Sequence, residues 1–209
     1  MKLKSIRKII GWKPGQKIVV SLCRLDPMKG VREFADATAH MPAKLKKSFI
    51  FVQIGEPTII AYDAHKKPVH LPESEAAFQY LRHFEEHQHD GCRYVLLPFQ
   101  KDFIPYLKAA DYFVLGSYDE MYSLSLVDAM MAGCCIIGTN NGGTTEQLSG
   151  GRGILIEAKS AAAIADAVAS AEVNPPLRKK LQKAASTWVQ REHGWKRVLP
   201  QWLTLYNLR

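Results

Sequence analysis

Three short stretches of this chain carry residues that could do chemistry. The first is Arg24–Leu25–Asp26–Pro27–Met28–Lys29–Gly30. It sets two cations just after an apolar run and just before a helix, which is where phosphate oxygens bind. Arginine offers a planar fork to such oxygens and lysine a mobile point charge. The second is a pair of acids, Glu120 and Asp128, with seven residues between them. That spacing lets both carboxylates face one crevice, where they suit the hydroxyls of a ribose or a sugar. The other reading is that Glu120 only starts a helix and Asp128 lies on its exposed side, because acids are favoured near helix N-termini anyway. The third is the turn Asn140 to Glu146, NNGGTTE. Gly142 and Gly143 allow close backbone approach to a ligand, or a tight strand-to-helix turn with Thr144 or Thr145 as N-cap.

These residues need elements that present them together. Lys17 to Cys23, KIVVSLC, is β-branched and apolar, a buried strand ending at the basic loop. Val31 to His40 follows as a helix, with Val31, Phe34, Ala35 and Thr38 at helical spacing. Ser48 to Ile54 is a second strand, closed by Gly55-Glu56-Pro57, and Thr58 to Tyr62 a short extension of it. The polar, Pro-punctuated segment Asp63 to Pro72 is expected to be a loop. Glu73 to about His89 is an amphipathic helix, Cys92 to Leu97 a third strand and Lys101 to Ala110 a helix. Tyr112 to Leu115 is a strand, Leu124 to Ala132 a helix stopped by Gly133, and Cys134 to Gly138 a strand. Gly153 to Ile156 is the sixth. A basic helix over residues 2 to 11 precedes all of these. After residue 157 the chain is helical: Ala158 to about Val173, a helix begun by Pro175-Pro176, and Gly194 to Tyr206. Six strands alternating with helices predict an α/β, doubly wound parallel sheet, whose ligands sit beyond the carboxyl ends of the strands. The expected organisation is a Rossmann-like unit over 1–157 with a helical extension over 158–209 packed on it.

Composition narrows the classes. A chain of 209 residues, 47% hydrophobic, can bury a full core. No apolar run approaches the roughly 20 residues of a membrane span, and the N-terminus shows no signal-peptide pattern. Four cysteines without C-x-x-C spacing fit free thiols in a reducing compartment, hence a cytoplasmic location. The net charge of +8 invites anionic partners, and the basic N-terminal segment would suit the inner membrane face. No basic stripe interleaved with aromatics is present, so nucleic acid is not expected as a partner. His83 and His87 stand at i, i+4, with His89 beyond, but HFEEH misplaces the glutamate of a zincin, and no metal site is expected. No G-x-G-x-x-G follows the first strand, and no P-loop lysine or Ser nucleophile elbow occurs.

Taken together, VVSLCRLDPMKGVREFADA, FIFVQIG, LKAADYFVLGSYDEMYSLSLVDAMMAGCCIIGTNNGGTTEQL and GRGILI resemble the C-terminal domain of the retaining GT-B glycosyltransferases, the "glycosyl transferases group 1" family. The resemblance runs from about Ile18 to Ile156. It implies a domain that binds a UDP- or GDP-sugar donor, with no cofactor and no metal. By that resemblance Arg24 and Lys29 would hold the diphosphate, Asp128 the ribose hydroxyls, and Glu120 would lie beside the sugar as the catalytic residue. Pro98, Phe99 and Gln100 would flank the base, and backbone amides around Tyr122, Ser123 and Leu124 would approach the diphosphate or sugar. The implied reaction is hexosyl transfer to an acceptor hydroxyl with retention. The alternatives are a non-catalytic nucleotide-sugar-binding subunit and a nucleotide-sugar epimerase of the same architecture. Three departures stand out. Asp128 replaces a glutamate, Met121-Tyr122-Ser123 replaces the common Gly-Phe-Gly, and the family's N-terminal, acceptor-binding half is not in this sequence, so a separate N-terminal subunit is an expected partner.

Overall fold

The computed structural model describes residues 3–88 and 92–207. Lys2 and His89 lie outside them. Helix α1 spans Leu3–Ile9. Strand β1 (Lys17–Leu22) leads through a short 3-10 turn at Pro27–Lys29 into α2 (Val31–His40). Strand β2 is Phe49–Ile54. Strands β3 (Ile59–Tyr62) and β4 (Pro68–His70) follow, then α3 (Pro72–Glu86) and β5 (Arg93–Leu97). Helix α4 is Ile104–Ala109, β6 Tyr112–Leu115, α5 Leu124–Ala132, β7 Cys135–Thr139, α6 Gly142–Leu148 and β8 Ile154–Ile156. Three helices close the described chain: α7 (Ala161–Val173), α8 (Pro175–His193) and α9 (Trp195–Leu205).

Six strands form one parallel sheet in the order β5-β2-β1-β6-β7-β8. The doubly wound α/β architecture expected from the alternation is therefore present. The chain builds outward from β1 to β5, returns to β6 beside β1, and builds outward the other way. The switch point lies between β1 and β6, and ligand crevices open there in such sheets.

The strands are nearly continuous apolar runs because both faces of the sheet are covered. In β2, Phe49 and Phe51 enter the layer under α2, α3 and α7, while Ile50 and Val52 enter the opposite layer with α1, α4, α5 and α8. Phe34 and Phe51 pack with ring centroids 5.3 Å apart. Local chemistry fixes the helix ends. Ser123 Oγ accepts from Leu126 N to start α5, and Gly133, at φ +88°, ends it. Ser160 and Asn174 cap α7 and α8 in the same way. Helix α6 is capped by Asn141 without a side-chain bond, not by Thr144 or Thr145; Thr144 is buried beneath the helix instead.

Two expectations are overturned: Ile59–Tyr62 does not extend β2 but belongs to a separate sheet, and the segment after it is structured. The segment 63–72 is not a plain loop. Its Pro68–His70 pairs antiparallel with β3, making a two-stranded hairpin separate from the main sheet. Every residue of β3 is exposed, so no buried face imposes the alternation by which a strand is recognised.

Helix α9 has no buried residue. Trp195, Leu199, Trp202 and Tyr206 are exposed at helical spacing, and the rings of Trp202 and Tyr206 stack with centroids 5.6 Å apart. Among the described residues no helix is long and apolar enough to cross a membrane.

Candidate functional site

The site is built where the loops after β1 and β6 touch. Gly30 sits at φ +66°, and a Cβ there would lie 2.2 Å from the Gly116 carbonyl oxygen. Two glycines thus let the basic loop and the acid-bearing loop meet backbone to backbone. Tyr118 N donates to Met28 O at 2.8 Å and holds the contact. Across it Lys29 Nζ reaches Glu120 Oε2 at 2.8 Å, and Ser117 Oγ donates to the same oxygen at 3.1 Å. Both members of the pair are largely shielded, with side-chain exposures of 21% and 16%. The cation from one strand end and the acid from its neighbour are therefore brought together.

A crevice of about 640 Å³ is lined by residues from the ends of β1, β2 and β5 and the start of α5, and neither Lys29 nor Glu120 is in that lining. Arg24, Phe99, Leu124 and Asp128 all face it, over an apolar floor of Leu22, Ile54 and Phe103. Asp128 projects from α5, half-buried, with no hydrogen bond or ion pair among the described residues. Burial alone pushes its carboxyl above the usual aspartate range. Arg24 Nε lies 3.4 Å from Asp26 Oδ2, yet its side chain is 63% exposed, so most of the guanidinium remains open to a ligand. Cys23 also borders the crevice, and burial lifts its thiol to about 11.

Other expected contacts are spent within the chain. Ser123 N donates to Gln147 Oε1 at 3.0 Å, so that amide does not face a ligand. The Tyr122 hydroxyl lies 2.9 Å from His193 Nε2, tying the start of α5 to the end of α8. Pro98 O accepts from Gln100 Nε2 at 3.0 Å, and Pro98 and Gln100 do not line the crevice. The Gly142-Gly143 turn makes its close approach to the acid loop itself. Gly143 N donates to Glu120 O at 2.8 Å, and a Cβ on Gly143 would sit 1.7 Å from Met121 O. The turn thus supports the Glu120 loop from below.

Two site residues escape the sequence reading. Asp26, buried, accepts from Thr58 Oγ1 at 2.7 Å and from Ser74, and so braces the Arg24 loop against β2's exit and α3. Glu56 borders the crevice and accepts from Phe99 N at 3.3 Å. The D-P step opening the 3-10 turn is the one local signal for Asp26. Glu56 has none, because its partner is 43 residues away. At the end of α3, His83 and His87 stack with ring centroids 4.0 Å apart. Among the described residues no three His, Cys, Asp or Glu side chains gather at metal-binding distance.

Residues 3–188 match the family model for glycosyl transferases group 1. The chain belongs to the glycosyl transferases group 1 family. Solved structures agree on the fold. Anabaena Alr3699/HepE in complex with UDP superposes with a TM-score of 0.77 at 17% identity, over 98% of this chain and 52% of that one. Sucrose-phosphate synthase from Thermosynechococcus elongatus gives 0.75 at 20% identity, over 99% and 50%. The C-terminal domain of the glycosyl transferase group 1 protein LpcC from Francisella tularensis gives 0.62 at 25% identity, over 85% and 86%. This group 1 chain thus spans about half the length of the first two and fits a single C-terminal domain. No curated protein matches it.

Proposed function

We propose that this chain is the donor-binding half of a retaining glycosyltransferase that transfers a hexosyl unit from a nucleotide diphosphate sugar to an acceptor hydroxyl. The observation that carries the reading is the crevice at the strand ends: an open guanidinium, a carboxylate without a partner among the described residues and an exposed aromatic ring share one cavity, while a Lys29–Glu120 pair joins the loops after β1 and β6. A nucleotide diphosphate asks for those groups. Phe99 offers a face to the base and Asp128 accepts from the ribose hydroxyls. Arg24 and Lys29 take the diphosphate, and Glu120 lies on the sugar side. Negative charge grows on the diphosphate as the glycosidic bond breaks, and fixed cations there lower the barrier without a metal ion. HepE of Anabaena, of the same fold, is solved with UDP-glucose.

The acceptor would be bound by a second half, in the same polypeptide or as a separate subunit. The exposed Trp195-Leu199-Trp202-Tyr206 stripe of α9 is the face we assign to it. The work would lie on the cytoplasmic side of a membrane, where the basic segment near α1 suits an anionic surface.

Calorimetric titration with UDP and GDP tests the donor reading. One or both should bind, and Arg24→Ala should weaken binding about tenfold or more, the usual effect of losing a charged hydrogen-bond donor. No binding of either by the native chain would sink the proposal.

A further inference from the structure

The base end of the crevice presents an unusual set of groups. Four of its main-chain groups are already engaged within the chain. Phe99 N donates to Glu56 Oε1, Pro98 O accepts from Gln100, Gly55 N donates to Leu97 O at 3.0 Å, and Glu56 O accepts from Leu25 N at 2.9 Å. The segment carrying Glu56 has little freedom to rearrange. A Cβ on Gly55 would lie 1.9 Å from the Cys23 carbonyl oxygen, and Thr58 is bonded to Asp26. Next to the exposed Phe99 ring, Glu56 offers a base a carboxylate, which only accepts hydrogen bonds.

From this we infer that the donor carries guanine: the Glu56 carboxylate receives the N1–H and N2–H₂ edge of a GDP-sugar while the base lies against Phe99. The inference rests on the donor-binding reading above and deepens it. Guanine places two N–H donors side by side, matching the two oxygens of one carboxylate. Uracil places its single N3–H between two carbonyl oxygens, and both would face the negative charge. Adenine and cytosine each offer one amino group next to a ring-nitrogen acceptor. Stacking on Phe99 favours every base, so it cannot discriminate. The carboxylate does.

The test is calorimetric titration of GDP, IDP and UDP into the full chain and into Glu56→Gln. Glutamine keeps an oxygen for Phe99 N, so the loop is retained, which a thermal melt verifies. The native chain should bind GDP at least about tenfold more tightly than UDP, with IDP, which lacks the N2 amino group, between them. Glu56→Gln should bring GDP down to the UDP level and leave UDP within about twofold. UDP binding as tightly as GDP, or a GDP preference that survives Glu56→Gln, overturns the inference. In that case nucleotide binding that is still weakened by Arg24→Ala leaves the donor site standing. Failure of all three nucleotides to bind the native chain overturns both.

Discussion

Asp128 is an acid held half-buried without a partner among the described residues, and its protonation should govern what the crevice binds. Burial raises its folded pKa above that of the unfolded chain. Between those two values the native state holds the proton and the unfolded state does not. Stability at this residue is therefore greatest at low pH and falls as pH rises through that window. Ligand binding runs the other way, because ribose hydroxyls need the ionised form as acceptor. Nucleotide affinity should drop as pH falls through the raised pKa of Asp128. Asp128→Asn should cost about tenfold to a hundredfold in affinity at neutral pH. It should also lose the part of the pH dependence that phosphate protonation does not supply. Titrations between pH 4 and 8 on both proteins measure this.

At the scale of elements, the helical end of the described chain is locked to the sheet by one polar cluster. Tyr112 of β6 donates to Glu172 of α7 at 2.6 Å, and Arg178 of α8 bonds both the carboxylate and, at 2.9 Å, the phenol oxygen. Tyr112→Phe leaves the ion pair and removes the bond to the sheet. It should lower stability by about 1 kcal/mol, seen as a lower melting temperature, with nucleotide affinity unchanged. Such clusters explain what could be foreseen. The main-sheet strands were legible because burial on both faces demands a nearly continuous apolar run, as in FIFVQI, where Gln53 is the one polar residue. The β3–β4 hairpin was not, since its residues face water and Pro68 opens the second strand. Arg24 and Lys29 stand out in the sequence because their loop joins a strand to a helix, and Asp128 because it is the one acid in an apolar helix. Asp26 and Glu56 act through partners distant in sequence, Thr58 and Ser74 for the one and Phe99 for the other, and no local pattern encodes such meetings.

At the scale of the molecule, the Trp195-Leu199-Trp202-Tyr206 stripe is surface that no described residue covers. Contiguous exposed aromatics of this kind mark contact faces. The isolated chain should self-associate with rising concentration in sedimentation experiments, and Trp195→Ser with Trp202→Ser should abolish that while leaving nucleotide affinity within about twofold. The charge is as unevenly spread as the apolar surface. From Pro175 onward Glu192 is the one acid among many bases, so this helical part of the chain carries a net positive charge. The hairpin offers a different opportunity. The chain leaves the sheet side at Thr58 and returns at Leu71, whose N–H donates to the Thr58 carbonyl at 2.8 Å. An insertion whose two ends meet across a single hydrogen bond is a natural socket. A dye or affinity peptide grafted at His65–Lys66 would ride on the outside of the fold, while the root of the same hairpin, Thr58 and Ile59, forms part of the crevice wall. A fluorophore there would turn the loop that shapes the cavity into an optical gauge of its occupancy.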